Sequence, residues 1–243
     1  MKFLIFSDIH SNYDALKSVI DFVEKNYHPF PEVICLGDVI GYGAQPNECL
    51  EKIFSLTDKV LLGNHECGVI GKTNIRFFNY SAKESILWTK KVIRKDHLER
   101  IKKLEYTLSL TDLKFSHSNL QNPSYWNYIT SIYEADDEFY YEKFKILFIG
   151  HTHIPVVYKK IFGDVKMVQN ETIKIEDNSR YIINVGSVGQ PRDGDNRASF
   201  VVFDKDEMVI NFHRVEYDIE SAMRKINEER LPKILADRLK EGL

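Results

Sequence analysis

Short apolar runs alternate with amphipathic segments over the first 65 residues of the chain. Residues 2–6 and 32–36 are almost wholly apolar, which is typical of strands buried on both faces of a sheet. Residues 13–26 between them carry apolar side chains at helical spacing, and Pro46 stands where proline is tolerated at the start of a second helix. Residues 59–62 predict a third strand. Strands that alternate with helices in this way favour parallel βαβ units.

The rest of the chain has a different pattern, in which strands follow one another closely. Residues 80–104 contain no proline or glycine and predict one long helix or two consecutive helices. An acidic helix is predicted near 134–143, and the last 25 residues predict an amphipathic helix with a break at Pro232. The strands predicted in this part are 107–110, 113–117, 146–149, 156–160, 166–175, 180–184, 199–203 and 208–215.

No linker, change of composition or internal repeat marks a domain boundary, so we expect residues 1–243 to form a single domain. The first half resembles βαβ units and the second half is antiparallel. This combination predicts an α/β (α+β) fold in which two sheets pack as a sandwich with helices outside, giving four layers in the order αββα.

Composition and charge narrow the possible environments and partners. Hydrophobic residues make up 43% and charged residues 28%, as in an ordinary globular protein. A net charge of −3 gives no overall field to attract nucleic acid or an anionic membrane, and no apolar run approaches the roughly 20 residues that span a bilayer. The chain has no apparent signal peptide, and its three cysteines, Cys35, Cys49 and Cys67, form no CxxC pair. We therefore predict a cytoplasmic protein.

Residues that bind metals stand where five of the predicted strands end. The segments are Phe6-Ser7-Asp8-Ile9-His10, Gly37-Asp38, Gly63-Asn64-His65-Glu66, Ser116-His117 and Gly150-His151-Thr152-His153. Ligands bind at the carboxyl ends of strands in open α/β sheets, so we expect these side chains to meet. Oxygen and imidazole ligands without thiolate suit divalent transition metals, with Mn²⁺ first among Mn, Fe, Zn, Co and Ni. Two Asp, one Asn and four His are too many for one ion and suit two that share a carboxylate.

The order D-x-H, G-D, G-N-H-E, H and G-H-T-H over residues 8–153 resembles the signature of the calcineurin-like metallophosphoesterase family. The resemblance implies one ion held by Asp8, His10 and His153, a second held by Asn64, His117 and His151, and Asp38 as the bridge between them. It also places His65 at the position of the family's catalytic histidine, near the leaving-group oxygen. Many members have His-Gly where this chain has His117-Ser118, a departure that affects the loop and not the imidazole.

A glycine-rich segment at residues 184–197 is similar to the G-S-V-G-x-P-R stretch of a bacterial and archaeal, phosphodiesterase-like subgroup of the family. Arg192 in this segment would bind substrate phosphate through its planar fork, or would instead pair with Asp193 or Asp195 in a structural turn. Tyr42 follows the second motif and would line the substrate pocket or pack. The aromatic segment 123–128 would stack on a nucleobase, or pack as core or lid.

The leading hypothesis is a dinuclear-metal phosphoesterase that hydrolyses phosphomonoesters or phosphodiesters. The nucleophile would be a metal-bound hydroxide, and His65 would donate a proton to the leaving group or stabilise it. The substrate would be a small phosphorylated compound, with nucleotides and dinucleoside polyphosphates as candidates. One alternative is a catalytically silent scaffold, like the metallophosphoesterase-like subunit of retromer. Another is a metal-dependent nuclease, which the mild acidity disfavours.

Overall fold

The computed structural model describes residues 1–243 and contains eleven strands and eight α-helices. The strands are β1 (Lys2–Phe6), β2 (Glu32–Cys35), β3 (Thr107–Leu110), β4 (Leu113–Ser116), β5 (Ile146–Ile149), β6 (Val156–Ile161), β7 (Asp164–Val168), β8 (Thr172–Lys174), β9 (Ser179–Asn184), β10 (Ala198–Asp204) and β11 (Val209–Val215). The helices are α1 (Tyr13–Asn26), α2 (Pro46–Leu56), α3 (Asn64–Ile70), α4 (Tyr80–Val92), α5 (Lys95–Ile101), α6 (Ile132–Tyr141), α7 (Ile219–Glu228) and α8 (Ile234–Glu241). None of these helices combines the length and apolar character needed to cross a bilayer.

The strands form two mixed sheets. The first has the order β2-β1-β10-β11-β8, and the second has the order β3-β4-β5-β9-β6-β7. Strands β1 and β2 are parallel, as are β4, β5 and β9, while the remaining pairs are antiparallel. The predicted mixed α/β architecture of two sheets flanked by helices is therefore confirmed.

Strand β1 shows how an apolar run is buried on both faces. Phe3 and Ile5 belong to the core between the two sheets, whereas Leu4 and Phe6 belong to the core beneath the helices. Successive side chains of a strand point to opposite faces, so a strand between two apolar layers must be apolar at every position. A third core packs α6 onto the outer face of the second sheet through Phe139. The layers follow the predicted order αββα.

Two predicted strands differ from the structure, and one helix was not predicted. Residues 59–62 do not form a full strand but make isolated parallel bridges, Cys35 to Val60 and Leu61 to Glu105. The predicted strand 166–175 is split into β7 and β8, which pair with different sheets. Ile173 of β8 enters the core between the sheets from the first sheet. Helix α3, which begins at the third motif, was not predicted.

The two sheets bring the carboxyl ends of their parallel strands together at one edge. The loop after β9 is tied to the loop after β1, because Val188 N donates to Ser7 O at 3.0 Å and Gly189 N donates to Asp8 O at 2.9 Å. A Cβ atom at Gly189 would lie 1.7 Å from Ile9 O, so only glycine permits this approach. The polar strand ends therefore face one another across a short distance.

Candidate active site

Five of the predicted metal-binding residues have a left-handed backbone. Their φ angles are +55° at Asp8, +50° at His10, +50° at Asp38, +67° at His151 and +63° at His153. Asp8 and His10 stand two residues apart, a spacing that in an extended segment would point both side chains to the same side. The left-handed φ angles show that the segment is not extended, so that expectation from spacing is wrong. Left-handed φ is uncommon outside glycine and costs free energy, so the surrounding packing must hold these loops in place.

The first group of convergent atoms belongs to Asp8, His10 and His153, which are all buried. Asp8 Oδ1 lies 3.2 Å from His153 Nε2 and 3.6 Å from His10 Nε2, and it has no hydrogen-bond partner. The two histidine Nε2 atoms are 3.1 Å apart. Three potential ligand atoms therefore point at one common space.

The second group belongs to Asp38, His117 and His151, with Asn64 beside it. His117 Nε2 lies 3.3 Å from Asp38 Oδ2, 3.2 Å from His151 Nδ1 and 3.3 Å from Asn64 Oδ1. Asp38 Oδ2 is also 3.8 Å from His10 Nε2 of the first group. The same carboxylate oxygen thus lies between the two groups.

Main-chain carbonyls fix which nitrogen of each imidazole carries the proton. His10 Nδ1 is 3.2 Å from Ile40 O, and His153 Nδ1 is 2.6 Å from Gln190 O. A carbonyl only accepts hydrogen bonds, so both Nδ1 atoms donate and both Nε2 atoms of the neutral rings present lone pairs. Two lone pairs that face each other at 3.1 Å beside an unpartnered carboxylate oxygen repel unless a cation lies between them. The donor set therefore fits a divalent metal ion.

The second group is arranged in the same way. His117 Nδ1 lies 3.2 Å from Leu36 O, and His151 Nε2 lies 2.9 Å from Trp126 O. His117 therefore turns Nε2 toward Asp38, and His151 turns Nδ1 toward the same space. The hydrogen bond from His151 to Trp126 O gives the aromatic segment 123–128 a role in orienting His151. The residue pattern alone left the role of this segment open.

The charge states in the site also suit metal binding. Burial opposes ionisation of Asp8, yet His153 and His117 hold its pKa well below the usual range. Burial lowers the pKa of His151 to about 3 and that of His153 to about 4, so both rings are neutral at pH 7. Burial alone would lower the pKa of His117, but Asp38 and Asp8 raise it to about 9. A cation bound in the second group would replace that proton.

His65 lies against the same cluster from the start of α3. Its Nε2 is 4.0 Å from Asp38 Oδ2, and its ring centroid is 4.8 Å from that of His10 and 4.5 Å from that of Tyr42. Burial lowers the pKa of His65 to about 3. A Cβ atom at Gly41, where φ is +88°, would lie 2.0 Å from His65 Nδ1, so glycine there makes room for the ring.

Glu66 organises the loops that carry Asp38 and His65. Its carboxylate accepts hydrogen bonds from the backbone N–H groups of Asp38 at 2.9 Å, Gly63 at 3.0 Å and Ile40 at 3.2 Å. Asp38 Oδ1 in turn accepts from the backbone N–H of His65 at 2.9 Å. Glu66 therefore orients the loops that carry Asp38 and His65.

Replacing Glu66 with glutamine is expected to weaken metal retention by about 10- to 100-fold, because it disturbs residues that orient the ligands. The amide would turn N–H groups toward a backbone donor, which should lower the free energy of unfolding by about 1–3 kcal/mol. Metal content after dialysis and urea unfolding measure the two effects. Glu99→Gln is the control, since Glu99 forms only an exposed ion pair with Lys102. Wild-type retention in Glu66→Gln would contradict the assigned role.

Tyr42 and Arg192 lie beside the first group. The Tyr42 ring is buried and packs 4.5 Å from the His10 ring, between centroids. The Arg192 guanidinium stands 5.8 Å from the centroid of the Tyr42 ring. Asp193 and Asp195 pair with other arginines, so the ion pair that we considered for Arg192 does not form.

The aromatic segment packs on the second group. The Tyr128 ring stacks on the His151 ring with centroids 4.3 Å apart and planes 8° apart. The Trp126 ring packs against Tyr106, and Trp126 Nε1 donates to Thr73 Oγ1 at 3.2 Å. Trp126 and Tyr128 therefore support His151, whereas Tyr125 is exposed. The remaining histidines, His28, His97 and His213, belong to neither group.

Comparisons with known proteins agree with this geometry. Residues 1–208 match the family model described as a calcineurin-like phosphoesterase superfamily domain. An uncharacterised protein of Methanocaldococcus jannaschii is 41% identical over 239 residues, which cover 97% of this chain and 96% of that protein. The crystal structure of a metallophosphoesterase from Sphaerobacter thermophilus has a TM-score of 0.88 and 33% identity over 100% of this chain and 99% of that one.

A hypothetical protein from Pyrococcus horikoshii OT3 shares the fold, with a TM-score of 0.79 at 17% identity over 100% of this chain and 98% of that one. The family match covers most of the chain, and the predicted family is confirmed. This chain is a member of the calcineurin-like phosphoesterase superfamily.

Proposed function

We propose that this protein is a phosphoester hydrolase that works with two divalent metal ions, manganese being the first candidate. The observation that carries the proposal is the pair of convergent ligand groups that share Asp38 Oδ2. In this proposal Asp8, His10 and His153 would hold one ion, Asn64, His117 and His151 would hold the other, and Asp38 would contribute to both. Two ions bound there would neutralise charge that develops on a phosphoryl group and activate water for attack.

The chain's own residues would bind and orient the ester. The neutral His65 ring carries one N–H, which is sufficient to donate a hydrogen bond to the leaving oxygen. Arg192 has no carboxylate partner, and its planar fork would bind phosphate oxygens of the substrate. Tyr42 packs under Arg192 and against His10, so it would form one wall of the substrate site.

The test is hydrolysis of bis-p-nitrophenyl phosphate, p-nitrophenyl phosphate and diadenosine tetraphosphate, with Mn²⁺ or with a chelator. We expect turnover with Mn²⁺, its loss on chelation and its recovery when Mn²⁺ is restored, because the ions supply most of the charge stabilisation. The preferred compound would distinguish monoesters, diesters and dinucleoside polyphosphates. A protein that binds two ions and hydrolyses none of the three would instead support the scaffold hypothesis.

Two observations support an enzyme over the alternatives. His65 is present and packs beside Asp38 and His10, as a residue acting on the leaving group requires. The net charge of −3 does not favour a nuclease that tracks a polyanion. We further propose that residues 1–243 act as one domain, and that the protein works in the cytoplasm, since its three cysteines are buried and unpaired.

A further inference from the structure

Two partly buried arginines lie side by side next to the candidate metal centre and compete for one neutral acceptor. Arg192 Nη2 donates to Gln190 Oε1 at 2.8 Å, and Arg238 Nη1 donates to the same oxygen at 3.4 Å. The Nε atoms of both arginines are buried and have no hydrogen-bond partner. Leaving buried, charged donors unpaired costs free energy, and a neutral amide oxygen cannot offset two positive charges.

The neighbouring acidic groups are engaged elsewhere. Asp193 pairs with Arg214, and Asp195 pairs with Arg197. A further partly buried arginine, Arg180, donates to three main-chain carbonyls, so each of its three guanidinium nitrogens has an acceptor. The shortage of acceptors is therefore particular to Arg192 and Arg238.

Gln190 connects the arginine pair to the candidate metal centre. Its side-chain oxygen accepts from both arginines, and its main-chain oxygen lies 2.6 Å from His153 Nδ1. The backbone N–H of Arg192 also donates to His153 O at 3.3 Å. The pair therefore adjoins the ligand group of Asp8, His10 and His153, on the side where Tyr42 packs.

The C-terminal helix α8 holds Arg238 in a defined place. Gly194 N donates to Gly242 O at 3.0 Å, and Asn196 Nδ2 donates to Lys240 O at 2.9 Å. A Cβ atom at Gly242 would lie 2.9 Å from the backbone of Asp195, so the end of α8 sits directly on the glycine-rich segment. This docking positions Arg238 beside Arg192, although the two residues belong to different elements.

We propose that Arg192 and Arg238 together form a second anion subsite, which binds a further phosphate of a substrate with two or more phosphates, such as a nucleoside diphosphate. Two guanidinium groups present unpartnered donors in the geometry that phosphate oxygens accept. Burial, and then the positive charge of Arg192, lower the pKa of Arg238, so a bound anion would relieve an existing repulsion. The inference rests on the proposed function for the role of the metal centre, which would hold the phosphoryl group that reacts.

The test compares ADP with orthophosphate by isothermal titration calorimetry on the full-length, Mn²⁺-loaded protein. Arg238→Met keeps the apolar stem and removes the guanidinium, and we expect it to weaken ADP binding by at least about tenfold, as for the loss of one charge-assisted hydrogen bond. Orthophosphate, which the metal centre would bind alone, should change by less than about twofold. Arg238→Lys should recover part of the ADP affinity, since it keeps the charge without the fork.

Three comparisons decide the outcome. Arg224→Met on α7 removes an exposed arginine and should leave both affinities unchanged. The double variant of Arg192 and Arg238 should bind ADP only slightly more weakly than either single variant, because both residues would contact one phosphate. Equal ADP binding by wild type and Arg238→Met, with both folded by circular dichroism, would overturn the proposal. Calorimetry needs no turnover, so the two proposals can fail separately. If the wild-type protein hydrolyses none of the esters but Arg238→Met still weakens ADP binding, the proposed hydrolase is rejected and the subsite is kept.

Discussion

Replacing Asp38 with asparagine is expected to lower Mn²⁺-dependent phosphodiester hydrolysis by about 10³-fold. Metal ions supply several kcal/mol of transition-state stabilisation, and each 1.36 kcal/mol is about tenfold in rate. Asp38 Oδ2 is the oxygen that approaches both ligand groups, at 3.3 Å from His117 Nε2 and 3.8 Å from His10 Nε2. An amide in its place would remove the negative charge that two bound ions would share. Turnover of bis-p-nitrophenyl phosphate, together with the metal content per chain, measures the effect.

The asparagine keeps the local structure, because its oxygen can still accept the hydrogen bond from the backbone N–H of His65. A loss of activity with an unchanged fold therefore reports on the metals. Asp58→Asn is the matched control, since Asp58 is exposed and pairs only with Arg100. Two retained ions and turnover within tenfold of wild type would show that Asp38 does not bridge the metals.

The second large effect is expected from His65→Gln, with a loss of about 10²- to 10³-fold in turnover, the range for a hydrogen-bond donor that stabilises charge on the leaving oxygen. The loss should be smaller for p-nitrophenyl esters than for phenyl or alkyl esters, because a good leaving group needs less help. Metal content should stay at the wild-type value, since His65 stands outside the two proposed ligand sets. Steady-state kinetics on the ester series and metal analysis test both statements.

A competing role for His65 has a distinct signature. Its ring nitrogen also converges with ligand atoms of His10 and Asp38, so it could bind a metal directly. In that case His65→Gln would lose an ion, and the rate loss would not depend on the leaving group. His97→Gln is the control, because His97 is buried in α5 and its ring contacts Asn47 and Arg94 instead.

The strand-end motifs named every residue that the structure brings into the two ligand groups. This was possible because metal chemistry allows few residue types, and because parallel strands present their carboxyl ends at one edge of a sheet. The burial of β1 on both faces could also be predicted from the sequence, because a strand segment between two apolar layers carries apolar side chains at successive positions. Arg192 was singled out by its glycine-rich segment and Tyr42 by its place after the second motif, and both lie beside the first ligand group.

Other features depended on which segments become neighbours in space. Three features have no local signal, because each is imposed by contacts with distant segments. They are the separation of β7 from β8, the carbonyls of Gln190 and Trp126 that orient two histidines, and the left-handed backbone of Asp8. Arg238 stands in an amphipathic helix whose sequence points only to packing. The sequence by itself determined which side chains are available at the site and the order of the elements that carry them. Only the tertiary structure decided which nitrogen of each imidazole carries the proton and placed the second arginine, Arg238, beside the site, since both arise from long-range contacts.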